Sequence, residues 1–430
     1  MARIRFGNFG LIPEDITVSK IDEETGIRYD FNYGLEVVTP ETDAVWKLQV
    51  WDAVTGDFLL ETMMPSKSYW ACPFKYYIKY KVRMTSPLGV FEHTMDLHDE
   101  VVAFKMAHNT LGDCIAYFSQ VIPFVELHKC KARIYAQQWF IDIFKPCYSN
   151  FEFVTLQQEE SMSQPYATYY LGLFHDPAMT RFWQKVSFKQ KGLQHQAAHI
   201  LGLPDHFDPN PPMVECTSRS QIDGDYIVIA SGGSKACKVW NNPLGWDNVI
   251  AWAKAQGYKV VCIDQAKVIG TPGMFYRRPE GCIDLIGDIP LQDRINTIAN
   301  AKAFIGMASG LAWLAWCCNV PVVMISGFSR PSAEFYTPYR VYNEYCECLD
   351  CWGDENIIFH MHTWEWCPRI DKQMLEVDNR IAQATDASER NELLMKRQEL
   401  SAKKFICTFS ISAQQVINKL QEALNHDKLD

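Results

Sequence analysis

The chain has 430 residues, of which 48% are apolar and 21% charged, and its net charge is −10 at pH 7. This length exceeds one ordinary hydrophobic core and predicts about two to four domains. The acidic balance, without a basic stripe, argues against nucleic acid as the main partner, because phosphate neutralisation supplies most of that affinity. The most apolar segment, residues 304–326, is interrupted by Ser309, Gly310, Asn319 and Pro321. We therefore expect no membrane span.

The first residues, Met1 to Pro13, lack the charged start, apolar run and cleavage site of a secretory signal. This predicts a cytoplasmic protein. Its fifteen cysteines are then expected to remain reduced rather than to form a disulfide scaffold. Most of them lie in apolar context and are predicted to be small core residues: Cys72, Cys114, Cys130, Cys147, Cys216, Cys237, Cys262, Cys282, Cys317 and Cys318.

Roughly the first hundred residues alternate apolar and polar side chains in segments typical of strands. The segments are residues 27–33, 44–51, 76–83 and 89–95. We expect residues 1–98 to form a separate small β domain. Its many aromatic residues are interpreted as the core of that domain, although they could also mark a binding surface.

From Val101 onward, predicted strands alternate with helices. The first series has strands at 101–105, 132–135 and 151–155 with helices at 113–124 and 138–144, and the second has strands at 226–230, 259–263, 303–306 and 320–325. Such alternation predicts an α/β fold with two Rossmann-like domains facing a cleft, over residues 99–215 and 216–345. Ligands bind beyond the carboxyl ends of such strands, so the strand-to-helix turns are where we expect the chemistry.

The turn from His108 to Asp113 follows the first strand of the first series. Gly112 allows a close backbone approach, Thr110 offers a hydroxyl, and the start of the next helix offers free N–H donors for an anion. Asp113 could act as a general base toward an acceptor hydroxyl. An aspartate in this position is also a common helix cap without a catalytic role.

Three turns of the second series suit a phosphorylated ligand. The turn from Ala230 to Lys238 holds small residues, hydroxyls and two lysines, which could cradle a diphosphate, but it lacks the spacing of a P-loop. Asp264, at a strand end, could hold a ribose hydroxyl or simply cap a turn. Ser309 and Gly310 begin a helix whose N–H groups can point at phosphate. Because no GxGxxG fingerprint is present, a nucleotide-sugar glycosyltransferase fits better than a dehydrogenase.

A cluster of cysteines follows the second series. Cys348 and Cys351 have the two-residue gap that lets two sulfurs face one ion, and Cys367 can supply a third. Cys407 is the best candidate for the fourth ligand. Four thiolates suit zinc or iron, and their softness does not separate the two metals. The alternative is that these cysteines are free thiols.

Ordered motifs along most of the chain resemble the bacterial autotransporter heptosyltransferases. They are Tyr29–Asn32, Asn109–Asp113, Tyr166–Tyr169, Lys238–Asn242, Gly245–Trp246, Pro290–Gln292, Ala308–Trp316, Ile325–Phe328, Glu334–Pro338, Cys348–Trp352 and Trp366–Arg369. The resemblance implies a cytoplasmic enzyme that moves heptose from ADP-heptose to serine hydroxyls of an autotransporter passenger before secretion. It also implies an N-terminal β-barrel-like domain, a GT-B catalytic pair, a cysteine-held iron finger over residues 346–410, and assembly into a dodecamer.

The resemblance also assigns roles to residues. Asp113 corresponds to the catalytic base, and the preceding Thr110, Leu111 and Gly112 lie at the donor. Lys238 corresponds to a lysine on the donor phosphate, Ser309 and Gly310 to a donor-binding turn, and Ser234 and Asp264 to looser donor contacts. The metal ligands are Cys348, Cys351, Cys367 and Cys407.

These roles imply an inverting displacement in which Asp113 takes the serine proton and ADP departs. Lys238 and the N–H groups near Ser309 would stabilise the leaving diphosphate, so we expect no catalytic divalent cation. Four cysteines leave the bound metal no open position, so its role would be structural.

The region between Cys367 and Cys407 departs from the family, because residues 371–403 form a long charged insertion. Residues 377–400 have helical character, and Leu393, Leu394 and Leu400 form an apolar stripe that we interpret as packing against the body. Cys346 could compete with Cys348 as a ligand. Residues 411–430 are predicted to form a C-terminal helix.

Two other functions remain open on the sequence. A lipopolysaccharide-core heptosyltransferase would share the base and the donor site but would not need the β domain or the cysteine finger. A non-catalytic, metal-stabilised interaction module is the alternative from another class. Loss of donor binding would favour that module.

Overall fold

A computed structural model describes residues 9–11, 17–106, 108–174, 177–204, 209–360 and 362–425. The chain divides into two compact units, residues 1–212 and 213–430, and each unit contains its own parallel strands. This confirms the predicted α/β class, whereas the finer domain boundaries stay predictions. Residues 1–13, for which no secretory signal is predicted, lie outside the described residues apart from Phe9–Leu11, as does the end of the predicted C-terminal helix, residues 426–430.

The first unit is built on a mixed sheet with the strand order β1-β7-β4-β3-β13-β10-β11-β12, and β2 pairs with β3. Its strands are β1 (Phe9–Leu11), β2 (Lys20–Ile21), β3 (Arg28–Asn32), β4 (Glu36–Val38), β7 (Ser68–Ala71), β10 (Val101–Lys105), β11 (Lys131–Ala136), β12 (Glu152–Thr155) and β13 (Ala167–Tyr170). The first parallel series therefore continues into N-terminal strands, because Ala167 of β13 pairs in parallel with Phe31 of β3.

Four N-terminal strands form a separate antiparallel sheet in the order β6-β5-β8-β9. They are β5 (Trp46–Asp52), β6 (Phe58–Met64), β8 (Tyr80–Ser86) and β9 (Gly89–Thr94). In β5 the alternate residues Trp46, Leu48 and Val50 are almost fully buried, as the period-two pattern predicted. The strand predicted at 76–83 begins only at Tyr80, because the N–H of Tyr77 leaves this sheet to bond the carbonyl of Ile200 at 2.7 Å.

The helices of the first unit cover the parallel part of its sheet. They are α1 (Leu111–His128), α2 (Gln138–Phe144), α3 (Pro177–Trp183), α4 (Phe188–Lys191) and α5 (Leu193–Ile200). Helix α1 directly follows β10 and buries Phe118 and Phe124 completely. Its first turn therefore stands at the carboxyl end of a central strand, where ligands bind in such sheets.

The second unit has a six-stranded sheet in the order β18-β15-β14-β19-β20-β21, and all neighbouring strands in it are parallel. The strands are β14 (Tyr226–Ala230), β15 (Lys259–Cys262), β18 (Ile283–Asp284), β19 (Ala303–Met307), β20 (Val322–Ile325) and β21 (Arg340–Val341). A short antiparallel hairpin, β16 (Val268–Thr271) and β17 (Met274–Arg277), stands apart from this sheet.

The helices of the second unit are α6 (Gly245–Ala255), α7 (Leu291–Ala299), α8 (Gly310–Cys317), α9 (Pro368–Gln383), α10 (Ala387–Ala402), α11 (Ile406–Phe409) and α12 (Ala413–Leu424). Helix α12 packs in one core with α6 and the parallel strands through Val416 and Leu420, so the end of the chain completes the second α/β unit. None of the helices in the described ranges is long and apolar enough to cross a membrane.

The segment predicted to have helical character, residues 377–400, lies in the antiparallel pair α9 and α10, which residues 384–386 connect. Asp386 ends the connection by accepting a 2.9 Å bond from the N–H of Glu389 as the cap of α10. Val377, Leu393 and Leu400 are buried in one cluster with Phe328 and Trp366, which confirms packing against the body. Leu394 does not belong to this face and is 48% exposed.

Candidate functional site

The predicted base, Asp113, lies in the first turn of α1. Thr110 is the cap residue of this helix, and its hydroxyl donates a 2.6 Å hydrogen bond to Oδ2 of Asp113. Thr110 is exposed and Asp113 is half-buried, whereas Gly112 is buried beneath them. The carboxylate is thus oriented by a neighbour and still reachable from solvent, as a general base must be.

The rest of this turn is held from two sides. The N–H of Leu173, just after β13, donates to Nε2 of His108 at 3.2 Å. A Cβ on Gly172 would lie only 2.7 Å from the same nitrogen, so a larger residue there would displace the His108 ring. On the other side, Trp139 of α2 donates to the side-chain oxygen of Asn109 at 2.8 Å. The Asp113 turn is therefore fixed by its own sheet and helix.

In the second unit, Asp264 organises the turn that follows β14. Its carboxylate accepts hydrogen bonds from the hydroxyl of Ser231 at 2.5 Å, the N–H of Ser231 at 3.2 Å and the N–H of Gly232 at 3.0 Å. Asp264 is only 5% exposed. These contacts link the ends of two neighbouring parallel strands, and Asp264 shapes the predicted diphosphate turn directly.

The backbone around Asp264 is held by Arg294, which the sequence analysis did not single out. The guanidinium of this buried residue donates to the carbonyls of Ile263, Asp264, Gly287 and Ile289 at 2.6–3.3 Å. Burial lowers the pKa of Arg294. No local motif marks it, because its four acceptors come together only in the folded sheet.

Lys238 closes the turn after β14 and lies among aromatic rings. Its Nζ is 5.1 Å from the ring centre of Phe328, 5.7 Å from that of Trp352 and 5.6 Å from that of Phe359. These distances are within the range of cation–π attraction, which orients the ammonium. Lys238 itself is half-buried, and Ser234, earlier in the turn, is exposed.

The motif after Lys238 anchors the turn to the segment before α12. The indole of Trp240 and the amide of Asn242 both donate to the carbonyl of Ile411, at 3.0 and 3.1 Å. The amide of Asn241 donates to the hydroxyl of Thr408 at 2.7 Å. The side chains of this motif therefore hold the turn against the segment that contains Thr408 and Ile411.

The remaining predicted donor turn, at Ser309 and Gly310, starts α8 after β19. Ser309 is the extended cap residue, and both residues are half-buried. The turn stands at the carboxyl end of β19, which pairs in parallel with β14. The second unit thus places this turn, the Lys238 turn and Asp264 on the same edge of one sheet.

The four cysteines predicted as metal ligands line one small cavity. Cys348, Cys351, Cys367 and Cys407 share it with Cys237, and its volume is ≈ 10 Å³, about the room that one water-sized particle needs. Cys346 instead donates from Sγ to the carbonyl of Cys348 at 3.4 Å. The sequence analysis placed Cys237 among ordinary core residues, because nothing local links it to the other four.

The thiolate form is favoured at Cys348. A hydrogen bond from Cys351, followed by the effect of Arg369, lowers the pKa of Cys348 to about 6, although burial opposes the shift. Arg369 is held by the carbonyl of Leu349 at 2.5 Å and the carboxylate of Asp354 at 3.0 Å. A thiolate beside arginine is the form that binds metals.

The four thiols nevertheless do not form a ready-made coordination site. Across the part of the chain that the structure describes, no group of three or more His, Cys, Asp or Glu side chains is placed as a metal site. None of the fifteen cysteines, all of which lie within the described ranges, forms a disulfide. The donor set has the chemistry of a thiolate site, and Cys348 and Cys351 are joined by a hydrogen bond.

The loop that carries Cys348 and Cys351 is pinned to the loop after β20. Asp350 adopts a positive φ of 55°, and its carboxylate accepts from the N–H of Arg330 at 3.1 Å and the N–H of Gly353 at 3.0 Å. The N–H of Asp350 donates to the carbonyl oxygen of Gly327 at 2.9 Å. A Cβ on Gly327 would lie 2.3 Å from the carbonyl oxygen of Cys407, so glycine is needed where these loops meet.

Two family models match the chain. Residues 24–86 match the N-terminal domain of the glycosyltransferase TibC. Residues 180–351 match glycosyltransferase family 9, described as heptosyltransferase. The first match spans strands β3 to β8, and the second spans all six strands of the sheet that carries the Lys238 turn.

Individual relatives match most of the chain. The autotransporter heptosyltransferase Aah of Escherichia coli is 35% identical over 83% of this chain and 90% of its own length. TibC of Escherichia coli O78:H11 is 36% identical over 80% and 83%. BimC of Burkholderia thailandensis, described as an inactive autotransporter heptosyltransferase, is 30% identical over 80% of both chains.

A solved structure matches nearly the whole fold. The crystal structure of dodecameric, iron-containing TibC in complex with ADP-D-β-D-heptose has a TM-score of 0.79 and 31% sequence identity to this chain. The match covers 98% of this chain and 100% of that one.

Proposed function

Because the chain belongs to the autotransporter heptosyltransferase family, we propose that it transfers heptose from ADP-heptose to serine hydroxyls of an autotransporter passenger. The observation that carries the proposal is the similarity to TibC in complex with ADP-heptose, over 98% of this chain. The oriented, accessible carboxylate of Asp113 and the Lys238 turn supply residues suited to the two halves of such a reaction.

Asp113 takes the role of general base. Its carboxylate removes the serine proton as the hydroxyl oxygen attacks the anomeric carbon, and the bond from that carbon to the diphosphate breaks. A single displacement inverts the anomeric configuration. Thr110 orients the carboxylate through its 2.6 Å bond, and Leu111 and Gly112 bring the helix start close to the donor.

The second unit binds the ADP portion. Lys238 and the N–H groups at Ser309 and Gly310 stabilise the negative charge that grows on the leaving diphosphate. Ser234, exposed in the same turn, supplies a further hydroxyl. Asp264 acts by shaping the turn, because its carboxylate already binds Ser231 and Gly232.

A structural metal ion would be held by Cys348, Cys351, Cys367 and Cys407. These residues line a common cavity, and iron is proposed because the related TibC structure is iron-containing. Four thiolates would occupy all the coordination positions of a tetrahedral ion. The metal would therefore stabilise the fold and take no part in heptose transfer. By the same similarity the protein is proposed to form a dodecamer. It is also proposed to act in the cytoplasm, because the passenger would be modified before export.

The direct test is intact-mass analysis of a purified autotransporter passenger incubated with ADP-heptose and this protein. Mass increments of one heptose, absent with Asp113→Ala, are the expected result. A competent passenger that gains no mass would contradict the proposal. Transfer to a lipopolysaccharide-core acceptor instead would support the lipid heptosyltransferase alternative.

The similarity to the inactive BimC makes a non-catalytic protein the second candidate. A protein that only binds partners needs no nucleotide-sugar donor, so donor binding and heptose transfer are the properties to measure. Calorimetry with ADP and the transfer assay together distinguish the two, because a protein that only binds partners should show neither ADP binding nor transfer. Binding of ADP without any transfer to passenger or lipid would favour an inactive relative that has kept its donor pocket.

A further inference from the structure

Lys235 is a buried cation in the middle of the turn after β14. It is 2% exposed, and its Nζ donates to the carbonyls of His360 and Thr363 at 2.5 and 2.8 Å. The same nitrogen lies 4.9 Å from the ring centre of Phe359. Burying an ammonium is costly unless acceptors satisfy it, so these contacts tie the turn to His360 and Thr363.

The neighbours of Lys235 make contacts to the same part of the chain. The N–H of Ala236 donates to the carbonyl of Trp364 at 3.1 Å. Cys237 lines the cavity of the four cysteines, and Lys238 lies over the rings of Trp352 and Phe359. We call residues 346–360 and 362–367 the finger segment. The four consecutive turn residues 235–238 thus contact this segment or the cavity that it lines.

The turn is also tightly folded on itself. A Cβ on Gly233 would lie 2.4 Å from the carbonyl oxygen of Lys238, so the beginning and the end of the turn touch. Its shape therefore depends on where residues 235–238 are held. Lys235 has its ammonium directed to finger carbonyls, and its influence on a ligand must pass through Lys238 and the neighbouring backbone.

We propose that the finger segment holds the turn after β14 in its diphosphate-binding shape, and that Lys235 is the positioning residue that joins the two. This inference rests on the proposed function, because that function assigns the donor diphosphate to the turn. The finger segment would then have a second role besides stabilising the fold. It would set the affinity for the nucleotide portion of the donor.

The test measures ADP binding to the full-length protein by calorimetry. Lys235→Met removes the charge and keeps the length of the side chain. We expect its dissociation constant for ADP to rise about tenfold or more. KM for ADP-heptose should rise in parallel, with a smaller change in kcat, because uniform binding is lost rather than transition-state stabilisation. The metal content per chain should stay unchanged.

Lys259→Met is the matched control. The Nζ of Lys259 also donates to a backbone carbonyl, that of Asp223, at 2.5 Å, but the residue is exposed at the start of β15. Its loss should leave ADP affinity unchanged. Phe359→Leu removes the ring shared by Lys235 and Lys238 without removing a charge, and should weaken ADP binding less than Lys235→Met. It decides the question if Lys235→Met does not fold.

Unchanged ADP affinity in both Lys235→Met and Phe359→Leu would overturn the inference, as would an equal loss in Lys259→Met. Failure of the unmodified protein to bind ADP would overturn the proposed donor site and this inference together. Normal binding and transfer by the unmodified protein, with unaltered affinity in the variants, would overturn the inference alone.

Discussion

The hydroxyl of Thr110 donates to the carboxylate of Asp113 across the first turn of α1, at 2.6 Å. The bond links the helix cap to the third helical residue and so fixes the direction of the acid. Carboxylates accept several hydrogen bonds, and Asp113 keeps capacity for a substrate hydroxyl. A feature that also stabilises the helix start can therefore orient a base.

Replacement of the base should strongly reduce heptose transfer without weakening the binding of the ADP portion of the donor. For Asp113→Asn we expect the initial rate of passenger heptosylation to fall about 10²- to 10⁴-fold, because the amide cannot accept the serine proton. Thr110→Val should lose only the orientation and fall roughly tenfold. The rates are measured by intact mass, and ADP affinity by calorimetry should stay the same.

The control for this prediction is Asp142→Asn, which changes an exposed aspartate of α2 in the same unit. It should keep the full rate. An Asp113→Asn protein as active as the unmodified one would show that Asp113 serves only the first turn of its helix and is not the base.

A methyl group at Gly327 should disturb the cysteine cavity. In Gly327→Ala the new Cβ would lie 2.3 Å from the carbonyl oxygen of Cys407 and 2.7 Å from its carbon. The loops must then separate, at a cost of about 2 kcal/mol in the free energy of unfolding, with loss of bound metal. Gly273→Ala is the control, since its nearest neighbour would be a carboxylate oxygen of Glu365 at 3.8 Å. Equal metal content and melting temperature in both variants would contradict this account.

Metal analysis distinguishes Cys348 from Cys346. Cys348 lines the cavity, whereas the sulfur of Cys346 bonds a backbone carbonyl. Elemental analysis of the purified protein should find about one iron per chain in the unmodified protein and in Cys346→Ser, and strongly reduced iron in Cys348→Ser. Retention of the metal by Cys348→Ser together with its loss from Cys346→Ser would exchange the two assignments.

A buried acid in the first unit makes stability depend on pH. Asp30 is fully buried, and burial, followed by the charge of Glu36 on the neighbouring strand, raises its pKa to about 7. The unfolded chain releases this proton at about pH 4. Between these values the folded protein holds more protons, so its free energy of unfolding falls as pH rises.

The predicted decline for Asp30 is about 2 kcal/mol between pH 5 and pH 8, relative to Asp30→Asn, which has no proton to lose. Urea unfolding at several pH values, monitored on the first unit, measures it. The exposed Asp57→Asn should follow the unmodified protein. A constant difference between Asp30→Asn and the unmodified protein across this range would refute the assignment.

Local sequence pattern predicted the bounds of an element correctly where pattern and burial coincide. Strands β10 and β14 and helix α2 have the predicted bounds, because each is a short, strongly apolar run ended by turn residues. The break between α9 and α10 was missed, although Asp386 followed by Glu389 is a recognisable helix start. Strands β4 and β7 were missed because they are very short and buried almost throughout, so they do not alternate.

Local sequence was sufficient to predict the α/β alternation, the strand-to-helix turns and the thiolate spacing of Cys348 and Cys351, because each depends on residues close in the chain. Only the tertiary structure decided that β13 lies between β3 and β10, that Cys237 joins the four-cysteine cavity, and that Lys235 is buried against Thr363. These contacts join segments far apart in sequence. They are selected by which buried donors and apolar faces can be satisfied together, and no local periodicity records that choice.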